Sequence, residues 1–136
     1  MTFELFINFN GNCREAVEFY AKVFRTELRP MMTFGDSPAD PNNPYPENER
    51  NWIMYTDLQI GDKLIMFMDM TSSYPFVAGN NITPTINVTD KAEVDRLFNE
   101  LSEGGIVFMP PQKTFFSEYY AMLTDKFGII WHILLP

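Results

Sequence analysis

His132 is the only histidine in the chain, and it lies in FGIIWHILLP (127–136), where every other residue is apolar, Gly or Pro. An imidazole titrates near neutral pH, so three roles are open to it. It can ligate a metal, bind or protonate a ligand, or sit neutral in a core and donate to a protein acceptor. Strand alternation places Ile130, His132 and Leu134 on one face, with Trp131 and Ile133 on the other. The remaining chemistry-bearing residues are scattered. Tyr55 can donate a hydrogen bond from a strand. Asn8 stands mid-strand among apolar residues, where its amide must meet a partner, a pocket or an edge. Met66 and Met68 suit core packing or an adaptable pocket wall. Cys13 falls beside Ala16 and Val17 on an apolar helical face, with no histidine near it in sequence, and reads as core, not as a nucleophile. Asp57, Asp69 and Glu118 fall on strands, but no spacing singles out an acid/base pair.

Several signatures are absent. The chain has no G-x-G-x-x-G and no G-x-x-x-x-G-K-[ST], so nucleotide phosphate binding is unsupported. G-x-S-x-G is missing too. Neither the strand–helix alternation nor the glycine loop of a typical methyltransferase is present.

The elements that must position these residues follow from periodicity. FELFINF (3–9) predicts a strand. Asn10-Gly11 turns the chain, and Asn12 can cap a helix with Glu15 at the third position. Cys13, Ala16, Val17, Tyr20 and Phe24 then form one helical face. ELRPMMTF (27–34) predicts an edge or irregular strand, because Pro30 comes early in it. GDSPADPNNPYPENER (35–50) has four prolines and reads as a surface loop, a possible lid, more often only a mobile stretch. NWIMYTDLQI (51–60) and KLIMFMDM (63–70) flank Gly61-Asp62, a hairpin signal. After a second loop (71–81) the order restarts. ITPTINV (82–88) is a strand, and Asp90 can cap a helix whose apolar face is Val94, Leu97, Phe98 and Leu101. Gly104-Gly105 ends that helix. Three strands follow, at 106–116, 119–124 and 129–135. Strand, helix, strand, strand, strand thus occurs twice. One helix covers one face of each small sheet and leaves the other face bare.

Composition bounds the partners. The 136 residues make one domain or one domain of two halves. Thirteen Phe, six Tyr, two Trp and nine Met suit a dense core or an apolar pocket. The formal charge is −8, from ten basic and eighteen acidic side chains with no basic cluster, which argues against nucleic acid and against an anionic membrane. No apolar run approaches the roughly 20 residues of a membrane span. A lone cysteine and an N-terminus without a basic lead-in predict a cytoplasmic setting.

INFNGNCREAVEFYAKVF (7–24), MYTDLQIGDKLIMFMD (54–69) and YAMLTDKFGIIWHI (120–133) resemble the PhnB-like, demethylubiquinone-methyltransferase-like branch of the vicinal oxygen chelate superfamily. That superfamily includes glyoxalase I, bleomycin-resistance proteins and extradiol dioxygenases. The resemblance implies an α+β fold of two βαβββ modules, 1–70 and 82–136, whose curved mixed or antiparallel sheets form a cup. It also implies a homodimer and a small-molecule ligand. In metal-using members four strands each supply one His, Glu or Gln to a divalent ion. Here His132 falls where such members place the last-strand Glu. The other positions hold Leu5 or Glu4, Thr83, and Met66 or Met68, a set too poor in donors for a catalytic ion. The position of Tyr55 is commonly His in the nearer branch, that of Phe116 is commonly Trp, and Ser117 and Ala121 stand where Gly is common. The reading is therefore a small-molecule-binding protein with no metal or other cofactor. Its candidate cup lining is Asn8, Tyr55, Met66, Met68, Thr85, Phe116, Tyr120 and His132. The rivals are a metal-dependent lyase, isomerase or dioxygenase of the glyoxalase type, a drug-sequestering resistance protein, and a structural dimer with a closed pocket.

Overall fold

The computed structural model describes residues 1–38, 40–42 and 44–136, so Ala39 and Asn43 of the Pro-rich loop lie outside the described residues. The chain divides into two compact units, Met1–Val77 and Ala78–Pro136. Each carries one helix on a four-stranded mixed sheet, an α+β architecture.

In the first unit the elements are β1 (Phe6–Phe9), α1 (Cys13–Val23), β2 (Met32–Thr33), β3 (Ile53–Ile60) and β4 (Lys63–Asp69). The sheet order is β1-β4-β3-β2, with β1 parallel to β4 and the other pairs antiparallel. Cys13, Ala16, Val17, Tyr20, Ala21 and Val23 are the buried residues of α1, whereas Phe24, expected on the same face, is its half-buried C-cap. Tyr20 stacks on Phe67 at 5.9 Å between ring centroids, and Phe9 lies 6.5 Å from each of them. Truncating a ring as buried as Phe67 costs about 3–5 kcal/mol.

Two expectations need correction here. Asn12 does not cap α1 with its side chain; its Oδ1 instead accepts weakly from the Asn10 backbone N–H at 3.4 Å. The cap comes from buried Asp69 at the end of β4. Its Oδ1 accepts from the backbone N–H of Gly11 at 2.7 Å and of Cys13 at 3.1 Å, and its Oδ2 accepts from Ile53 at 2.9 Å. A charged acceptor makes stronger bonds to these orphan N–H groups than an amide does. The strand expected over 27–34 shrinks to two residues. Pro30 has no N–H for a ladder, and its carbonyl accepts from the Thr56 hydroxyl at 3.1 Å.

The loop 35–50 is also more than a loose stretch. It begins and ends in short 3₁₀ turns, Phe34–Asp36 and Glu47–Glu49. Gly35 N–H donates to the Arg50 carbonyl at 2.8 Å. The buried Glu49 carboxylate accepts from the Ser72 N–H at 3.0 and 3.1 Å, which ties the far end of the loop to the segment after β4.

The second unit runs β5 (Thr85–Asn87), α2 (Lys91–Ser102), β6 (Ile106–Gln112), β7 (Tyr119–Thr124) and β8 (Ile130–Leu135). Its order, β5-β8-β7-β6, mirrors the first, again with one parallel pair. Asp90 caps α2 as predicted, accepting from Glu93 N–H at 2.8 Å. Val94, Leu97 and Leu101 are its buried stripe, while Phe98, expected with them, is only half-buried. β6 is an edge strand, which accommodates Pro110 and Pro111. Gly105 packs so closely that a Cβ there would stand 2.1 Å from the Thr124 carbonyl oxygen. Trp131 is buried and donates its indole N–H to buried Asp125 at 2.8 Å.

Candidate functional site

Pleating decides which side chains each sheet leaves open. In β1, Ile7 and Phe9 are buried while Phe6 and Asn8 are exposed. In β4, Phe67 and Asp69 are buried while Met66 and Met68 are half-buried. The register sets Phe6 beside Met66 and Asn8 beside Met68, so one row of open side chains crosses the strand pair at each level. Asp57 of β3 adjoins Met66 on the other side. Asn8, Met66, Met68 and Tyr55 of the expected lining thus belong to one sheet. Asn8 is both an edge residue and a pocket residue, the two places open to an unsatisfied strand amide. The methionines are not core.

Tyr55 brings a partner that sequence reasoning passed over. Its hydroxyl donates to Asp57 Oδ2 at 2.7 Å, and Arg29 Nε donates to Asp57 Oδ1. That hydrogen bond to the carboxylate, reinforced by burial, raises the Tyr55 pKa above the ordinary phenol value. The tyrosine therefore stays protonated with its proton engaged, and its oxygen lone pairs remain as acceptors. Phe6 meets the Tyr55 ring edge-on at 5.9 Å. The signal for the pair was present in sequence, since positions 55 and 57 share a strand face. Nothing local pointed to Arg29.

Asn8 and Met68 also line a pocket of about 330 Å³, together with Phe34, Tyr45, Met70, Thr71 and Tyr74. Phe34 stands at the start of the Pro-rich loop and Tyr45 lies within it, and their rings are 5.5 Å apart.

In the second unit His132 sits between Thr85 on β5 and Met122 on β7. Tyr120 meets the imidazole edge-on at 5.5 Å, and Phe116 meets Tyr120 edge-on at 5.0 Å. The expected residues Thr85, Phe116, Tyr120 and His132 therefore cluster on or beside one sheet. Tyr120 is buried, Phe116 and Thr85 are exposed, and His132 is intermediate. Neither ring nitrogen of His132 has a hydrogen-bond partner among the described residues. Burial lowers its pKa below the ordinary imidazole value, so the neutral ring is favoured. Burial likewise raises the Tyr120 pKa.

A model of the family described as 3-demethylubiquinone-9 3-methyltransferase matches residues 2–134. The chain belongs to this PhnB-like family. Protein YjdN of Escherichia coli (strain K12) is 27% identical over 94% of the chain and 90% of its own length. Among solved structures, protein PA1353 from Pseudomonas aeruginosa is 36% identical with a TM-score of 0.88, covering 99% of this chain and 97% of that one. A putative 3-demethylubiquinone-9 3-methyltransferase, PhnB protein, from Bacillus cereus is 22% identical with a TM-score of 0.80 over the whole of both chains. A glyoxalase/bleomycin resistance protein/dioxygenase family enzyme from Burkholderia phytofirmans PsJN is 18% identical with a TM-score of 0.64, covering 96% and 95%. The likeness establishes the glyoxalase/bleomycin-resistance fold for this PhnB-like chain.

For a metal, the neighbours of His132 across the strands are a threonine and a methionine, and among the described residues no three of His, Cys, Asp and Glu come together to hold an ion. This donor set does not fit a catalytic divalent cation. For a nucleotide-type methyl donor, the fit would need a crevice at the carboxyl ends of parallel strands with a glycine-rich turn. Each sheet of this PhnB-like chain has one parallel pair and no such turn, so that mode does not fit either. No helix among the described residues is long and apolar enough to cross a membrane.

Proposed function

We propose that this PhnB-like protein binds a small organic molecule on the helix-free faces of its sheets, without a catalytic metal ion. The observation that carries the reading is His132. It is a half-buried imidazole, kept neutral by burial, flanked by Tyr120 and Met122, with both ring nitrogens open to a partner from outside the chain. A neutral imidazole offers one donor and one acceptor, which suits a hydroxyl or carbonyl on a largely apolar ligand. In the first module (1–70) Tyr55, Asn8, Met66 and Met68 present the same mixture of apolar surface and sparse polar groups. In the second (82–136) Thr85, Phe116 and Tyr120 accompany His132. We place the protein in the cytoplasm as a homodimer, in keeping with its lone buried cysteine and its family.

The reading is tested by a thermal-shift screen of small organic molecules against the wild-type protein and the His132→Ala and Tyr55→Phe variants. A ligand that raises the wild-type melting temperature and loses that effect in either variant supports it. Zinc and nickel are screened in parallel. A stoichiometric rise with either ion that vanishes in His132→Ala overturns the metal-free part.

A further inference from the structure

We infer that the pocket walled by Phe34 and Tyr45 takes a neutral, flat aromatic molecule bearing one amide-like group, which Asn8 pairs. This rests on the small-molecule reading above and deepens it by naming the ligand class of one pocket.

Size and charge come first. At about 330 Å³ the pocket is at the small end of organic-ligand sites. None of the described residues that line it carries a formal charge. An ionic ligand would shed water there without meeting a counter-charge, which is costly, whereas an uncharged one would not. The neutral lining stands out in a chain of net charge −8.

Shape follows from the walls. Phe34 and Tyr45 stand 5.5 Å apart with ring planes tilted by 47°, Tyr74 adds a third ring, and Met68 and Met70 supply thioethers. Ring edges and sulfur both favour an aromatic guest.

The polar group of the guest follows from what remains open. The Tyr45 hydroxyl is engaged, donating to the Phe34 carbonyl at 3.0 Å. The exposed Asn8 amide makes no side-chain hydrogen bond among the described residues. An amide offers a donor and an acceptor side by side, and its best complement is another amide or lactam edge.

The wall is also held in place without a ligand. The Tyr45–Phe34 bond closes the loop on itself, the Ser73 hydroxyl donates to the Pro44 carbonyl, and Glu49 holds the Ser72 N–H. A wall ordered beforehand spares the ligand that entropic cost.

The experiment uses three probes of one shape that differ in charge: benzamide, benzoate and benzamidinium. Each is titrated at pH 7 into the full chain while the methyl signals of Met68 and Met70 are followed by NMR. Benzamide is expected to bind at least about tenfold more tightly than either ion. Asn8→Leu is expected to weaken benzamide roughly five- to a hundredfold, in line with loss of the two hydrogen bonds of an amide pair. Phe34→Ala is expected to weaken it as well, and thermal melts confirm that both variants are folded. Equal binding of an ion and benzamide, or an unchanged affinity in Asn8→Leu, overturns the inference. If benzamide leaves the Met68 and Met70 signals in place while other molecules bind near His132, the pocket assignment falls and the small-molecule reading stands. If no organic molecule binds anywhere on the chain, both fall.

Discussion

The Tyr55 hydroxyl donates to Asp57 at 2.7 Å, and this bond joins two residues of one strand face into a single polar unit beside Phe6 and Met66. Arg29 completes it from the segment that sequence pattern assigned to a strand. The carboxylate orients the phenol and Arg29 balances the carboxylate, so the face offers an oriented phenol oxygen and no net charge.

Removing the carboxylate should therefore release the phenol. The Asp57→Asn variant is expected to move one tyrosine to a lower pKa in a spectrophotometric titration, because the hydrogen bond to Asp57 is the largest cause of the raised value. A raised folded-state pKa stabilises the protein below the ordinary phenol value, and that contribution disappears as pH climbs through the folded value. The variant should accordingly be less stable than the wild type near neutral pH, with the deficit shrinking as pH climbs through the folded value, and unchanged tyrosine titration would contradict the pairing.

His132 gives the opposite sign. Burial lowers its pKa, so the unfolded chain binds a proton more readily than the folded one. Stability is then intact above the ordinary imidazole value and declines as pH falls through it toward the folded value. The sole imidazole gives one resolved proton NMR signal, whose midpoint is expected below 6.5. A midpoint at or above that value would count against the environment described, and His132→Gln should flatten the slope of stability between pH 7 and 5.5.

Asp69 should matter more than any local cap. Asp69→Ala strands three backbone N–H groups at the start of α1 and β3 and is expected to cost about 3 kcal/mol or more. Asp90→Ala removes one exposed cap bond and is expected to cost about 1 kcal/mol. Chemical denaturation of both variants checks the order, and equal losses would refute the assignment of the α1 cap to Asp69.

Two glycines separate space from backbone strain. Gly105→Ala drives a Cβ against the Thr124 carbonyl and is expected to cost about 3 kcal/mol or to prevent folding. Gly61→Ala meets no atom within 4 Å at a backbone φ of +57°, and its cost should stay near 1 kcal/mol. Melting temperatures of the pair test this, and a harmless Gly105→Ala would mean that the α2–β6 turn relaxes freely.

The contrast between Asn12 and Asp69 shows what was legible in the sequence. The two helices, most of their buried faces, the Gly61-Asp62 hairpin and the repeated element order could all be read from it. Each is encoded within a window of a turn or a strand, where spacing alone decides which residues share a face. Alternation also put Ile130, His132 and Leu134 on one face, but it left open whether Met66, Met68 and His132 pack in the core or line a pocket. The cap from a carboxylate 56 residues away could not be read, nor could the reach of Arg29 to Asp57 or the meeting of Phe34 with Tyr45 beside Asn8. Those contacts depend on strand order and register, which pair segments far apart in the chain, and only the packed tertiary structure decides which distant side chains come within hydrogen-bonding or ring-contact distance.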